Sequence, residues 1–296
     1  MTTLYIIGNG FDLHHSMPTS YADYYTFLKA NGVDVDSFLI AALPLIWANI
    51  ERSFSNFYEL YHDCGETGPI PIIMYPVDRD PQLITPEGSH ELTIVPDFYT
   101  MASAVEEVHD RIEDWISSIQ LPKRDNNFHF DESSLFITFN YTSVLEGVYH
   151  IPSESILHIH GTAGKHNLIF GYPGEPHSVD YPKDWDGFTE SFDYSYFNEI
   201  LLKTNKNTDK IIKDHSDFWC RLDSVDKIVI IGSSIGDDAD YFEQIHKCTK
   251  ERNPTWIYYQ HGLDYTAVNY LLQLVGTVSI RQYPEYNPEY RFYLSC

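Results

Sequence analysis

The chain has 296 residues, of which 19 are lysine or arginine and 43 are aspartate or glutamate, so its formal net charge is −24. This acidity excludes a nucleic-acid binder, which needs a basic surface to displace counterions. It also argues against binding to an anionic membrane surface. Hydrophobic residues make up 43% of the chain and charged residues 21%, which is typical of a globular protein and not of a disordered one.

The spacing of the cysteines and the length of the apolar stretches predict the cellular compartment of the protein. The cysteines stand far apart in the sequence, at Cys64, Cys220, Cys248 and Cys296. Because no Cys-x-x-Cys pair occurs, we expect neither a zinc ribbon nor a redox pair, and the thiols should be reduced, as in the cytoplasm. No basic segment precedes the first apolar run, so no signal peptide is predicted. The longest apolar stretch, residues 38–48, is far shorter than the roughly 20 residues that span a bilayer.

In chain order, the first predicted element is a buried strand at residues 4–7 that runs into a glycine turn. A helix is predicted over residues 21–30, because apolar side chains recur at helical spacing. Residues 37–62 carry the pattern of one or two more helices. Prolines and glycines crowd residues 63–97, which predicts a long irregular connection. Helical spacing resumes over residues 99–119.

The second half of the chain alternates between strand and helix patterns. Strands are predicted at residues 135–139, 156–159, 168–170, 227–231, 255–259 and 278–281. Helices are predicted at residues 143–149, 239–250 and 265–274 and over most of 191–217. Strands separated by helices imply βαβ units and a mostly parallel sheet. We therefore predict one α/β domain over residues 1–296, with a helical insertion at 20–120 that contains the Pro/Gly-rich loop 63–97.

Glycine turns follow two of the predicted strands. The first is Gly8-Asn9-Gly10-Phe11-Asp12, in the position where doubly wound folds hold a pyrophosphate. Leu13 stands where the usual third glycine would be, so a plain structural turn is the alternative. The second turn runs from Gly232 through Ser233 and Ser234 to Asp237 and Asp238. Its hydroxyls and carboxylates suit phosphate or ribose oxygens, although Asp238 is equally suited to cap the following helix.

Polar residues also follow two other predicted strands. Thr138 and Asn140 end one strand and are expected to point into the same crevice, with an ordinary helix cap as the alternative for Asn140. His158 and His160, two apart on a predicted strand, are expected to share one face. They have no third ligand at a recognisable spacing, so no metal site is predicted. His160, directly before Gly161 at a strand end, is the better candidate for a general base.

These motifs resemble the AbiH family of bacteriophage abortive infection proteins. The segments that carry the resemblance follow in the family's order: residues 4–14, 17–21, 45–51, 138–141 with 145–146, 158–161 and 231–238. The resemblance extends from residue 4 to about residue 245.

The AbiH family in turn is similar to sirtuin-like NAD-consuming domains, which implies a doubly wound, Rossmann-type fold. By that resemblance, Asn140 lies beside the nicotinamide ribose and His160 is the base. The groups that would hold the dinucleotide are Gly8, Asn9, Gly10, Phe11, Asp12, Thr138, Tyr141, Gly161, Gly232, Ser233, Ser234 and Asp237. Two motifs depart from the sirtuin pattern: the first loop has Asn9-Gly10-Phe11-Asp12 in place of Ala-Gly-x-Ser, and Thr142 stands in place of an aspartate.

The activity implied by the resemblance is cleavage of the nicotinamide–ribose bond of NAD by water, in a cytoplasmic phage-defence enzyme. NAD is the substrate, and no prosthetic group is expected. A protein deacetylase is excluded, since the chain lacks the paired Cys-x-x-Cys motifs of its zinc ribbon. Either Asp12 or Glu51 would stabilise positive charge on the ribose. The expected partners are NAD or a related nucleotide, a phage-derived trigger and further copies of the chain in a homo-oligomer, without nucleic acid or membrane.

Two other functions fit the same residues. The first is a non-catalytic module that senses a nucleotide and regulates a defence partner, which would keep its function after loss of Asn140. The second is a different nucleotide hydrolase that depends on a metal, which a chelator would inhibit.

Overall fold

The computed structural model describes residues 1–35, 50, 51, 54, 98–123, 128–131, 133–173, 194–260 and 265–282. The predicted loop at 63–97, and the predicted helices at 37–62 apart from residues 50, 51 and 54, lie outside the described residues. The chain divides into two compact units. The first comprises Met1–Tyr24, Ile112–Ile169 and Asn207–Cys296, and the second comprises Tyr25–Arg111 and Phe170–Lys206. This division does not test the predicted single domain with an insertion at 20–120, which stays a prediction.

Strands and helices alternate along most of the described chain. The strands are β1 (Thr2–Ile7), β2 (Leu135–Thr138), β3 (Ile156–His158), β4 (Tyr172–Pro173), β5 (Asn205–Lys206), β6 (Val225–Ile231), β7 (Thr255–Gln260) and β8 (Ser279–Gln282). The helices are α1 (Asn9–His14), α2 (Tyr21–Ala30), α3 (Phe98–Ser118), α4 (Val144–Gly147), α5 (Tyr194–Lys203), α6 (Thr208–Asp214), α7 (Ser216–Trp219), α8 (Ala239–Thr249) and α9 (Tyr265–Val275).

The first unit contains a six-stranded sheet in the order β3-β2-β1-β6-β7-β8. All five strand pairs in it are parallel, as the alternation of strands and helices predicted. The order places β1 in the middle, with β2 on one side and β6 on the other. Strands β2 and β3 are therefore added on one side of β1, and β6, β7 and β8 on the other. Because all the pairs are parallel, the carboxyl ends of all six strands lie at one edge.

Both faces of the central strands β1, β2 and β6 are buried, which explains why these strands are mostly apolar, whereas the edge strand β8 is exposed. Leu4 and Ile6 of β1 face a core that contains Tyr241 and Phe242 of α8 and Leu271 of α9. Tyr5 and Ile7 face the opposite core, and the members of that core that lie outside the strands are Phe11, Met17, Val144 and Leu145. The period-two alternation of a strand thus divides one apolar run between two cores.

The second unit contains a two-stranded parallel sheet in which β4 pairs with β5. Lys206 of β5 is 1% exposed, and its Nζ lies 2.9 Å from Oε2 of the buried Glu51. The rings of Phe54, His109 and Phe170 pack against one another in the same unit, with centroids 5.4–6.0 Å apart. A buried ion pair and an aromatic cluster therefore lie in the interior of this unit, beside buried aliphatic side chains such as Val105, Val108 and Ile200.

The prediction of a strand at residues 168–170 is wrong. Ile169 N–H donates to the His160 carbonyl at 2.9 Å, and the Ile169 carbonyl accepts from the Tyr141 hydroxyl at 3.1 Å. Because these groups bond to loops, they are not part of a strand ladder. Pairing begins further along, at Tyr172, in the short β4.

Within the described segments, every helix is too short or too polar to cross a membrane. Cys220 and Cys248 lie in those segments, and both carry free thiols. Cys64 and Cys296 lie outside the described residues.

Candidate active site

The polar residues singled out by the sequence follow the carboxyl ends of four neighbouring strands. Ile7, the last residue of β1, pairs with Thr138 of β2 and with Ile231 of β6, and Thr138 pairs with His158 of β3. The residues that follow these positions therefore meet at one edge of the first unit's sheet. In open parallel sheets, the point where strand order reverses leaves a crevice at this edge that commonly binds ligands. Here that point lies between β1 and β6.

The glycines after β1 and β6 allow two loop backbones to touch. A Cβ atom added at Gly8 would lie 2.5 Å from the Gly232 carbonyl oxygen, and one added at Gly232 would lie 2.5 Å from the Phe11 nitrogen. Gly232 also has φ +68°, a conformation that glycine adopts without strain. This close packing accounts for all three predicted glycines, Gly8, Gly10 and Gly232, without a ligand.

Three backbone N–H groups of the first loop, those of Gly8, Gly10 and Phe11, are already bonded inside the protein. Gly8 N–H donates to the Ile231 carbonyl, Gly10 N–H to the Gly232 carbonyl and Phe11 N–H to the Gly8 carbonyl, each at 2.9 Å. The predicted phosphate contacts would therefore have to come from other groups. Helix α1, which follows, has only six residues and supplies a weak dipole at best.

Asn9 and Phe11 also have roles within the fold. Asn9 is exposed, and its Nδ2 donates to the Thr19 carbonyl at 2.7 Å. The Phe11 ring is fully buried among aromatic side chains, with Phe128 at 5.0 Å and His15 at 4.6 Å between centroids. The structure therefore gives the Phe11 side chain a packing role in place of the predicted ligand contact.

Asp12 forms the centre of a buried polar cluster. It is 1% exposed, and the Thr142 hydroxyl donates to its Oδ2 at 2.6 Å. Burial raises the pKa of Asp12 from its ordinary 3.8 to about 6, although hydrogen bonds from Thr142 and Asn140 and the nearby His158 lower it. The carboxyl group is thus mostly ionised at neutral pH but is close to titrating.

Asn140 is held in the same cluster. Its Nδ2 donates to the Gly8 carbonyl at 3.1 Å, and its backbone N–H donates to Thr138 Oγ1 at 3.1 Å. Helix α4 begins at Val144 with Ser143 as its N-cap, so Asn140 does not cap a helix. The sequence alternative for Asn140 is therefore wrong, and its side chain is directed towards the end of β1.

Two buried acceptors in this cluster have no hydrogen bond within the described part of the chain. They are Asn140 Oδ1 and Asp12 Oδ1. A buried polar atom left without a partner costs about 1–3 kcal/mol, so such atoms call for a specific explanation. Two adjacent acceptors suit a ligand or a water that brings hydrogen-bond donors.

The side chains of His158 and His160 have different surroundings, although the sequence predicted that they share one face of a strand. His158, the last residue of β3, places Nε2 2.9 Å from Glu146 Oε1, and its Nδ1 is 3.4 Å from the Asn140 carbonyl. His160 instead packs against Phe139 and Tyr241, with ring centroids at 5.6 and 5.5 Å. That prediction is wrong because β3 ends at His158, and the chain turns before His160.

His160 is 3% exposed and faces the loop after β6. Its Nε2 lies 3.6 Å from Oδ1 of Asp238, whose side chain is 23% exposed. Asp238 occupies the N-cap position of α8, yet its side chain makes no capping hydrogen bond. Asp238 thus lies where a helix cap was predicted, but its carboxylate does not cap the helix.

The remaining predicted residues lie around the same strand ends with different exposures. Ser233 is buried and its Oγ accepts from Ile235 N–H at 3.2 Å, whereas Ser234 is exposed and Asp237 is half-buried. Gly161 has φ +83°, and a Cβ there would lie 2.1 Å from the Asn167 carbonyl oxygen. Gly161 is therefore required by local packing, while Ser234 is open to solvent and Asp237 is partly so.

The structure brings Gly8, Asp12 and Asn140 into direct contact, and it adds two residues that sequence reasoning had not placed in the site. Thr142 had been noted only as a departure from a pattern, and Glu146 only as part of a motif. A signal was present in the sequence, because Asp12 and Thr142 both depart from the sirtuin pattern, and in the structure they are hydrogen-bonded partners. Among the residues described, no group of three or more histidine, cysteine, aspartate or glutamate side chains is arranged to hold a metal ion.

The family model described as Bacteriophage abortive infection AbiH matches residues 4–260 of the chain. The chain belongs to the AbiH family. Family membership suggests a role in phage abortive infection. No curated protein and no solved structure matches this AbiH chain. The matched region contains every residue of the candidate site.

Glu51, the other acidic candidate for the ribose, belongs to the second unit of this AbiH protein. There it pairs with Lys206, as described above. Asp12 lies in the candidate site itself, in contact with Thr142 and beside Asn140. Glu51 is thus paired with a buried cation, whereas Asp12 is hydrogen-bonded within the candidate site.

Proposed function

We propose that this AbiH-family protein hydrolyses the nicotinamide–ribose bond of NAD and that this reaction underlies its defence role. The observation that carries the proposal is the pair of buried acceptors, Asn140 Oδ1 and Asp12 Oδ1, at the carboxyl end of β1 and β2. A ribose presents hydroxyl donors of the kind these acceptors lack. Hydrogen bonds from ribose hydroxyls to these two oxygens would remove the free-energy cost of leaving them without a partner.

In the proposed reaction, Asn140 orients the nicotinamide ribose and the attacking water. The water attacks C1′ while His160 takes one of its protons. The bond between C1′ and the ring nitrogen breaks, and its electron pair moves to nitrogen, so nicotinamide leaves as a neutral molecule. The products are ADP-ribose and nicotinamide, and His160 returns the proton to solvent. A base at this position contributes roughly 10²–10⁴-fold, and positioning supplies the rest.

Charge at the site supports a cationic reacting centre. The ribose develops oxocarbenium character as its bond to nicotinamide breaks, and the ionised Asp12 stabilises that charge. None of the site residues named above is lysine or arginine. The site thus favours the positive nicotinamide–ribose end of NAD, and we propose that the pyrophosphate end is bound by the loop 232–238.

The order of the strands supports the proposed relation to sirtuin-like domains. If the two-residue strands of the second unit are set aside, the six-stranded sheet has the order 3-2-1-4-5-6 of doubly wound dinucleotide-binding folds. This is a fold-level analogy, because the same fold supports many functions. The placement of Asn140 and His160 after adjacent strands is the more specific support.

The proposal is tested by measuring nicotinamide release from NAD by the purified protein. We expect release by the wild type and a loss of at least about 100-fold in both Asn140→Ala and His160→Ala. His129→Ala is the matched control, since it removes an exposed histidine of the same unit, and it should retain activity. NAD binding without turnover by the wild type, with protection from phage intact in Asn140→Ala, would overturn the enzyme and favour the sensing module.

A further inference from the structure

A hydrogen bond joins His158, the last residue of β3, to Glu146 of α4. His158 Nε2 lies 2.9 Å from Glu146 Oε1, and the two side chains are 10% and 20% exposed, respectively. Burial raises the pKa of Glu146, but the hydrogen bond from His158 and the charge on its ring lower it, so that the net pKa lies below the ordinary 4.5. Glu146 is therefore an ionised carboxylate at neutral pH, and Nε2 carries the hydrogen of this bond.

The second ring nitrogen of His158 also faces an acceptor. Nδ1 lies 3.4 Å from the backbone carbonyl oxygen of Asn140, which is a weaker contact than the one to Glu146. A carbonyl oxygen accepts hydrogen bonds and has no hydrogen to donate, so this contact is favourable only when Nδ1 carries a hydrogen. An imidazole with hydrogen on both nitrogens is a cation. The two acceptors therefore favour the charged form of His158.

This ring lies close to the Asp12 carboxylate. Asn140, whose carbonyl faces His158, donates from its side chain to the carbonyl that follows β1. Two residues further on, the Thr142 hydroxyl donates to Asp12 Oδ2 at 2.6 Å. Burial raises the pKa of Asp12, and hydrogen bonds from Thr142 and Asn140 and the charge of His158 lower it, for a net value of about 6. Of these three neighbours, His158 is the one that can carry a charge.

We propose that His158 is a positioning residue, held in its charged form by Glu146, and that its positive charge keeps Asp12 ionised as the pH falls towards 6. Opposite charges at close range favour the ionised form of both groups. Asp12 and Glu146 are negative and His158 is positive, so the cluster keeps one net negative charge and still favours a cationic ribose. The catalytic consequence rests on the proposed NAD hydrolysis. The charge coupling itself does not, because it is a property of the free protein.

Among the described residues, the charged groups that act on this cluster come from several elements. Asp12 lies on α1, Glu146 on α4 and His158 at the end of β3. Lys165, in the loop after β3, also lowers the pKa of Glu146 through its charge. Lys165 is exposed, so water and salt screen its charge, whereas Asp12 and His158 interact inside the protein.

The test is the titration of the Asp12 carboxyl group, followed by ¹³C NMR of aspartate-labelled protein from about pH 4 to about pH 8 and assigned by its loss in Asp12→Asn. In the wild type we expect a midpoint at about pH 6. In His158→Gln, whose amide can still donate to Glu146, the midpoint should rise by at least about 0.5 pH unit, because the cation has gone. The control, His129→Gln, removes an exposed histidine of the same unit and should leave the midpoint unchanged.

The reverse coupling is measured on His158 itself, by ¹⁵N NMR of histidine-labelled protein at about pH 6. Coupling between two sites is reciprocal, so Asp12→Asn should lower the fraction of protein with hydrogen on both His158 nitrogens, and Glu146→Gln should lower it as well. This measurement decides the proposal if His158→Gln does not fold. An unchanged Asp12 midpoint in His158→Gln would overturn the proposal, and so would an unchanged His158 signal in both Asp12→Asn and Glu146→Gln.

Kinetics of nicotinamide release then test the catalytic consequence. In His158→Gln the acid limb of kcat/KM should move to higher pH, so the variant should lose more activity at about pH 6 than at about pH 8. An equal loss at both pH values is what a purely structural role predicts, and it would overturn the link to catalysis. Failure of the wild type to cleave NAD would count against the proposed function alone, because the two NMR measurements decide the charge coupling separately.

Discussion

Replacing Asp12 by asparagine should stabilise the protein at neutral pH while removing its activity. Burial raises the pKa of the Asp12 carboxyl from its ordinary 3.8 to about 6, so at about pH 7.5 the folded protein carries a buried charge that water would solvate better. At about 1.36 kcal/mol per tenfold change in proton affinity, this difference destabilises the fold by ~3 kcal/mol. The Asp12→Asn variant keeps an acceptor for the Thr142 hydroxyl and has no charge to bury.

The pH dependence has a definite sign. Since the pKa of Asp12 is higher in the folded protein, the folded state binds this proton more tightly, and stability falls as the pH rises from about 4 to about 6. Urea denaturation should therefore show Asp12→Asn to be more stable than the wild type by up to ~3 kcal/mol at about pH 7.5, with most of the gain lost by about pH 4.

Asp223→Asn is the control for this comparison, because it removes an exposed carboxylate from the same unit. It should change the free energy of unfolding by less than about 0.5 kcal/mol at either pH. An Asp12→Asn variant that is less stable than the wild type at about pH 7.5, or equally stabilised at both pH values, would refute burial of the charge as the cause.

Three further substitutions test the packing and the polar contacts. Gly232→Ala should destabilise the protein by at least ~2 kcal/mol in urea denaturation, because its Cβ would lie 2.5 Å from a backbone atom. The control is Gly276→Ala, at φ +77° with open space around it, which should cost only about 1 kcal/mol in the same assay. Thr142→Val removes a hydrogen bond that lowers the pKa of the α1 carboxylate, so the loss of stability with rising pH should continue beyond about pH 6. Lys206→Met should cost about 3–5 kcal/mol by leaving Glu51 buried without its cation, and adding Glu51→Gln should recover part of that loss; additive effects would contradict the pairing.

Much of the sheet could be predicted from the sequence, because parallel strands buried on both faces are short apolar runs. The prediction that Gly8, Asn140 and Gly232 meet at one edge is confirmed, since parallel strands present their carboxyl ends together. Patterns of this kind require only local sequence and the rules for connecting strands.

The contacts that define the site could not be predicted in the same way. Asp12 and Thr142 are 130 residues apart, and their pairing depends on how two strand ends are placed side by side. The divergence of His158 and His160 depends on a strand ending one residue earlier than its apolar pattern. The approach of Asp238 to His160 depends on the loop after β6, where Ile235 has φ 68°, which no residue preference would indicate.

The most direct test of the account is the NAD content of phage-infected cells that produce the wild type, Asn140→Ala or the control His129→Ala. Infected cells supply any trigger that the purified protein lacks. The account predicts that NAD falls while nicotinamide and ADP-ribose rise in cells with the wild type or His129→Ala, and that Asn140→Ala cells show neither change and lose protection. Protection by the wild type with NAD unchanged would contradict it.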